Sequence, residues 1–300
     1  MLDKAFLVNK VADTLRKNEY EVFLTEGSFD IAAKREHLLL IKTLLNADSL
    51  TEDQALSLRA ISHFVSAYPF VVSLKNNREF LNKEIVYSRF ELPVLTPEFF
   101  DDIIFEEAVA INSAKGRHTI EVNSFALREK RKELKLTLDE LAESAGISKK
   151  ALYEIENKRV NPTSKTTKRL ESILKIELQM PYEMKTVSSV YLKPKDEFEK
   201  NVSKEFSRIG IDNSPVYSSP FEIIGKESFS LVTGVAKDAA KIKKSVNAIK
   251  EISSFLSAKA LFVSKKIETK TTSGLPVILE SDLSEIETPS ELEKLIEEKY

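Results

Sequence analysis

Two stretches far apart in this chain resemble each other. "SFDIAAKREHLLLIKTL" starts at Ser28 and "PFEIIGKESFSLVTGVA" starts at Pro220. Phe29, Asp30 and Ile31 match Phe221, Glu222 and Ile223, and Lys34 matches Lys226. Further on, "ISHFVSAYPFVVSLK" from Ile61 matches "ISSFLSAKALFVSKK" from Ile252, and Leu92-Pro93-Val94 matches Leu275-Pro276-Val277. The spacing is about 190 residues, too long for a solenoid repeat, so one domain is present twice. Each copy reads helix, strand, strand, strand, helix, strand. In the first, residues 20–24, 29–34 and 38–44 alternate or run apolar as strands do, 55–67 has helical periodicity, and 70–74 is a short buried strand. Acidic amphipathic helices are expected over 97–107 and 289–300.

Three hundred residues exceed one ordinary domain. The expected division is 1–113 and 186–300 for the two α/β copies, with a helical domain over 121–180 between them. Hydrophobic content of 42% with 31% charged residues describes a globular chain, and a net charge of −2 gives no global pull toward nucleic acid or membrane. With no cysteine, disulfides and thiolate zinc sites are excluded. The three histidines (His37, His63, His118) are scattered, so neither a metal site nor a cofactor is expected. No apolar run approaches the length of a membrane span, and the N-terminal segment reads as an amphipathic helix (Phe6, Leu7, Val11, Leu15) rather than a signal peptide, so a cytoplasmic chain is expected.

The stretch between the copies, "LTLDELAESAGISKKALYEIENKRVNP" (136–162), is built differently. A helix carrying Phe125, Leu127 and Leu134 precedes it. Thr137 with Glu140 three residues later forms a capping box that starts a second helix, with Leu138, Leu141, Ala142 and Ala145 inward. Gly146 suits a left-handed turn, and Ser148 caps a third helix with Ala151, Leu152 and Ile155 inward. Two short helices about a glycine turn make a helix-turn-helix. Residues 123–175 hold thirteen Lys/Arg against eight Asp/Glu, a local excess of +5 in a chain whose total is −2.

Leu127-Arg128, Leu141-Ala142, Gly146-Ile147-Ser148, Ile155-Glu156-Asn157 and Pro162-Thr163 make this segment resemble the Cro/lambda-repressor class of DNA-binding domains. The resemblance implies a third helix in the major groove of double-stranded DNA, with Lys149, Lys150 and Tyr153 at base edges. Ser148 and Thr137 would lie near phosphates, as would Lys158, Arg159 and Lys165 after the third helix. It also implies a buried ion pair between Arg131 and Glu156. Lys158 stands where many members have Gly. A left-handed backbone there would cost about 1 kcal/mol.

The element order of the flanks resembles the restriction-endonuclease-like fold, including archaeal Holliday-junction resolvases. Active members bind Mg²⁺ through an Asp on one strand and a Glu-x-Lys on the next. Asp30 and Lys42 match, but Leu40 holds the Glu position. In the second copy Glu222 matches Asp30, while Val232 and Gly234 replace the Glu and the Lys. The expectation is therefore a site without metal or catalytic residues, with Asp30 an exposed or capped strand-end carboxylate and Lys42 half solvated. The whole chain resembles an archaeal family of helix-turn-helix transcriptional regulators in which Gly-Gly often stands where this chain has Lys115-Gly116. That implies a sequence-specific DNA-binding regulator, a homodimer formed through its flanks, acting on the transcription machinery. A DNA-structure-selective nuclease guided by the helical unit, or a ligand- or protein-sensing binder, are the alternatives.

Overall fold

The computed structural model describes residues 3–83, 85–105, 111–114, 117–266 and 271–298. In chain order the first elements are α1 (Lys4–Lys17), β1 (Glu21–Leu24), β2 (Ile31–Lys34), β3 (Leu38–Asn46), a 3₁₀ turn (Ala47–Ser49), α2 (Glu52–Phe64) and β4 (Tyr68–Lys75). There follow β5 (Ile85–Arg89), β6 (Leu92–Leu95), α3 (Pro97–Ile104), β7 (Ile111–Ala114) and β8 (Arg117–Ile120). Next come α4 (Ser124–Glu133), α5 (Leu138–Ala145), α6 (Lys149–Glu156) and α7 (Ser164–Leu174). The last part holds α8 (Glu197–Arg208), β9 (Asp212–Pro215), β10 (Ile223–Lys226), β11 (Ser230–Ala236), α9 (Ala239–Phe255), β12 (Lys259–Ser264), β13 (Thr271–Thr272), β14 (Leu275–Leu279), α10 (Glu280–Glu285) and α11 (Pro289–Glu298). The expected order recurs: α1-β1-β2-β3-α2-β4 is answered by α8-β9-β10-β11-α9-β12. Glu106 and Glu107 of the expected 97–107 helix, Lys299 and Tyr300 of the 289–300 helix, and the Lys115-Gly116 turn lie outside the described residues.

The chain forms two compact units, residues 1–71 with 185–300, and residues 72–184. In the first unit both copies are built alike. β1 pairs antiparallel with β2, and β2 with β3, just as β9 pairs with β10 and β10 with β11. β11 then pairs parallel with β12 and β12 with β14, so the chain between β11 and β12 must cross over, and α9 is that crossover. α1 buries Leu7, Val11 and Leu15, and α8 buries Phe198, Val202 and Phe206 at the same spacing. One helical stripe thus covers each sheet. A fully buried Phe such as Phe206 contributes roughly 1.5–3 kcal/mol.

The two copies also pack on each other through matching surfaces. Lys34 Nζ donates to Ser257 Oγ at 2.6 Å, and its repeat counterpart Lys226 donates to Ser66 Oγ, the counterpart of Ser257, at 2.8 Å. Such reciprocity is the mark of a two-fold contact between like surfaces, here within one chain. Around it, Phe23 stacks on Phe255 with centroids 5.4 Å apart, Ser230 Oγ donates to the Phe64 carbonyl, and Ser57 Oγ accepts from Tyr217 N. The Ser28 amide donates to the Ser218 carbonyl at 2.6 Å. A Cβ on Gly27 would stand 2.1 Å from that carbonyl oxygen, so only glycine admits this approach.

In the second unit β5 and β6 form a hairpin turning at Phe90 (φ 50°) and Glu91 (φ 61°). Neither residue type advertises a tight turn, which hides this hairpin in the sequence. α4 to α7 close over a core of Leu127, Leu141, Ala145, Leu152, Leu170 and Leu174. The ends of this bundle are tied together: Ile120 N donates to the Pro162 carbonyl, Asn123 N to Leu178, and Met180 N to Glu121.

Candidate nucleic-acid interface

The helix-turn-helix is assembled by local chemistry. Thr137 N donates to Glu140 Oε2 at 2.8 Å and Glu140 N donates to Thr137 Oγ1 at 3.2 Å, which closes the capping box at the start of α5. The Thr137 amide is the main reason the Glu140 carboxyl sits below the usual carboxylate range. Gly146 ends α5 at φ 68°, ψ 38°. Arg169 Nη1 lies 2.8 Å from where a Cβ would sit there, and it donates to the Ala145 carbonyl at the end of α5. Ser148 Oγ then accepts from Ala151 N to open α6.

α6 buries Leu152 and Ile155 and half-buries Ala151, which leaves Lys149, Lys150 and Tyr153 exposed on its other side. Thr137, Ser148, Lys158, Arg159 and Lys165 are exposed as well. Lys149 Nζ pairs with Asp139 Oδ2 at 2.7 Å. Arg159 reaches Glu154 Oε1 at 3.5 Å and lies 5.8 Å from the Tyr153 ring centroid. Both pairs are solvent-exposed and worth well under 1 kcal/mol, so a phosphate or a guanine edge can displace them. Asp139 and Arg169 were not singled out from the sequence. Their partners lie about a turn or a helix away, where no spacing rule reaches. Phe125 and Leu134 face outward (71% and 44% exposed), and of the three apolar residues expected on the first helix only Leu127 enters the core.

Arg131 and Glu156 form the pair implied by the resemblance. Nε donates to Oε1 at 2.7 Å and Nη2 to Oε2 at 2.9 Å, while Nη1 holds the Leu136 carbonyl. Glu156 raises the Arg131 pKa through these bonds. With 12% and 4% of the side chains exposed, the pair joins α4 to α6 and fixes the orientation of α6. Lys158 adopts φ 58°, so the left-handed backbone is real and its cost of about 1 kcal/mol is carried.

The nuclease-like positions differ from expectation. Asp30 is 2% exposed, so it is the capped carboxylate and not the exposed one, and Lys42, 3% exposed, is not half solvated. Lys4 and Lys42 donate to Asp30 Oδ1 at 2.8 and 3.1 Å, and the Thr43 amide and hydroxyl donate to Oδ2 at 2.8 and 3.0 Å. Lys42 also donates to the Gly27 carbonyl. Desolvation lowers the Lys42 pKa, against the opposing pull of Asp30. A carboxylate with four donors has no lone pair to offer a cation, and Leu40 beside it is fully buried. These residues do not fit a Mg²⁺ site. Among the described residues no group of three or more His, Asp or Glu is placed to hold a metal.

In the second copy Glu222 Oε2 accepts from Val235 N at 2.8 Å, the counterpart of the Thr43–Asp30 bond. Its lysine comes from elsewhere: Lys241 of α9 pairs with Oε1 at 2.8 Å. Gly234 cannot carry the lysine because a Cβ there would meet the Phe262 ring at 2.3 Å. Glu199 of α8 is buried nearby, and no sequence signal marked it.

Comparison with known proteins gives two family matches, a PD-(D/E)XK superfamily domain over residues 4–109 and a helix-turn-helix over residues 127–180. Full-length relatives carry the name "Putative HTH-type transcriptional regulatory protein". The one from Methanobrevibacter smithii is 28% identical over all of this chain and 99% of its own length. That from Methanothermobacter thermautotrophicus is 26% identical over 99% and 97%, and that from Pyrococcus furiosus 28% over 97% and 96%. No described helix is long and apolar enough to cross a membrane.

Proposed function

We infer that this chain is a DNA-binding transcription regulator of the helix-turn-helix type, a reading supported by its helix-turn-helix match and by its similarity to proteins of that name along their whole length. The observation that carries the mechanism is α6: capped at its N-terminus, locked to α4 by Arg131–Glu156, and presenting Lys149, Lys150 and Tyr153 opposite its buried face. In our reading these three reach base edges, and Thr137, Ser148, Lys158, Arg159 and Lys165 hold phosphates. The domain division is 1–113, 121–180 and 186–300, the location cytoplasmic, and the downstream partner the transcription machinery.

A single helix-turn-helix covers too few base pairs for genomic specificity, so the regulator acts as a homodimer over two half-sites. The like surfaces of the two copies already meet inside one chain, and dimerisation therefore uses a different face. Selection of bound sequences from random duplex DNA at about 0.15 M salt tests this. A two-fold motif with half-sites about ten base pairs apart is expected. A lone half-site would refute the dimer, and no enriched motif would refute sequence reading.

We read the flanks as non-enzymatic. The PD-(D/E)XK match motivates the second reading, a DNA-structure-selective nuclease. Cleavage of duplex, single-stranded or branched DNA with Mg²⁺ or Mn²⁺ that is lost in a folded Asp30→Asn variant would establish it.

A further inference from the structure

The two copies treat their carboxylates differently. In the first, two lysine ammonium groups fill the space around Asp30. In the second, both are displaced. Phe262 excludes a side chain at Gly234. Lys195 stands where Lys4 does, judged by the matched stripes of α1 and α8. Its ammonium turns away, to the Val216 carbonyl at 3.3 Å and over the Tyr217 ring. What remains is a cavity of about 270 Å³ beside α8 and the start of α9, walled by Phe198 and Val235 and edged by Lys195, Lys237 and Lys241.

The polar wall is nearly all spoken for. Lys237 pairs with Asp196 and Lys241 with Glu222, each at 2.8 Å, and Asp238 caps α9. Glu199 lines the same cavity and is 3% exposed; its Oε2 accepts from Lys195 N, and its Oε1 has no partner. A buried carboxylate oxygen without a donor is costly, and the group that relieves it most is a charged N–H donor. The lining also carries one more acid than base, three lysines against Asp196, Glu199, Glu222 and Asp238.

We propose that this cavity in the second copy is a binding site for a small primary-amine metabolite, whose ammonium group donates to Glu199 Oε1. The aliphatic part lies along Phe198 and Val235. An ω-amino acid or a diamine satisfies this chemistry; an amino acid would also set its carboxylate against the lysines at the mouth. The site is independent of the DNA-binding reading and is tested without DNA.

Isothermal titration calorimetry of the full chain with 1,4-diaminobutane, spermidine, L-lysine and L-arginine, and with hexanoate as an amine-free control, measures it. Saturable binding of at least one amine and none of hexanoate is expected. Glu199→Gln should weaken it by on the order of tenfold or more, the loss of a charge-assisted bond. Glu199→Asp, which keeps the charge but shortens its reach, should weaken it too and serves if the Gln variant does not fold. Lys17→Ala, an exposed lysine on α1, should bind as the parent does. Binding of the diamines alone assigns a polyamine; binding of the amino acids alone assigns those. No binding of any amine up to about 10 mM overturns the proposal, and so does binding that survives both Glu199 variants.

Discussion

Asp30 and Glu222 occupy the same place in two copies of one fold and make the same backbone bond, to Thr43 N and to Val235 N. Their own amides match as well, donating to the Ile41 and Thr233 carbonyls, but the other side-chain partners differ. Asp30 is locked by two lysines and a threonine and shut from water. Glu222 keeps one lysine, borrowed from a helix, and borders an open cavity. The backbone bond is what the fold needs from the carboxylate, since it satisfies an amide of β3 in one copy and of β11 in the other. The remaining oxygen valence is free to vary, and the two copies have used it in opposite ways.

That contrast predicts a graded set of effects. The largest belongs to Asp30→Ala, which strands the buried Lys42; a loss of about 3–5 kcal/mol in denaturant-measured stability is expected. Glu222→Gln, which can still accept from Val235 N and leaves the half-exposed Lys241 free to reach water, should cost under about 1 kcal/mol. Equal losses would show the two carboxylates to be equivalent after all. Next comes Gly234→Ala, whose Cβ would strike Phe262; about 1–3 kcal/mol should be lost and partly regained with Phe262→Val in the same chain. Strictly additive effects would refute the exchange of a strand lysine for a phenylalanine ring.

Glu199 gives a smaller effect whose sign depends on pH. Burial raises its pKa above the ordinary 4.5, so in the window between the unfolded and the folded value the folded chain holds a proton that the unfolded chain has lost. Its favourable contribution is present below about pH 4.5 and disappears as pH rises through the folded value. Glu199→Gln should therefore stabilise by on the order of 1 kcal/mol at pH 7 and by nothing measurable near pH 4, followed by thermal melting at both pH values. A variant that melts lower at pH 7 would show that Oε1 has a partner. Smallest of all, Lys34→Ala and Lys226→Ala should each cost under about 1 kcal/mol and match each other, since both remove one exposed bond of a reciprocal pair. A marked inequality would break the two-fold relation.

The helix-turn-helix was legible almost residue by residue because its signals are local. Thr137 and Glu140 lie within one turn, Gly146 needs only its own φ, and the inward stripe of α6 follows from helical period alone. In the flanks, period and order carried as far as the element sequence and the duplication. Side-chain fates there were not legible. A charged residue at a strand end reads as solvated, yet Asp30 is buried by Lys4, a residue of another element. Lys241 replaces Lys42 from a helix instead of a strand, so no motif spacing marks it. Glu199 lies in a helix whose charges otherwise face water. The pairing of the copies is written only in surfaces that meet after folding.

The pairing of like surfaces within one chain has a genetic consequence. In a protein assembled from two identical subunits, each substitution arrives twice, so the two symmetry-related sites can only change in step. Here each copy has its own codons. A lysine could be lost from β11 and regained from α9 while β3 kept its own, and one carboxylate could be sealed while the other stayed open. Joining the halves in a single polypeptide turned an enforced symmetry into a frame on which two sites can drift apart.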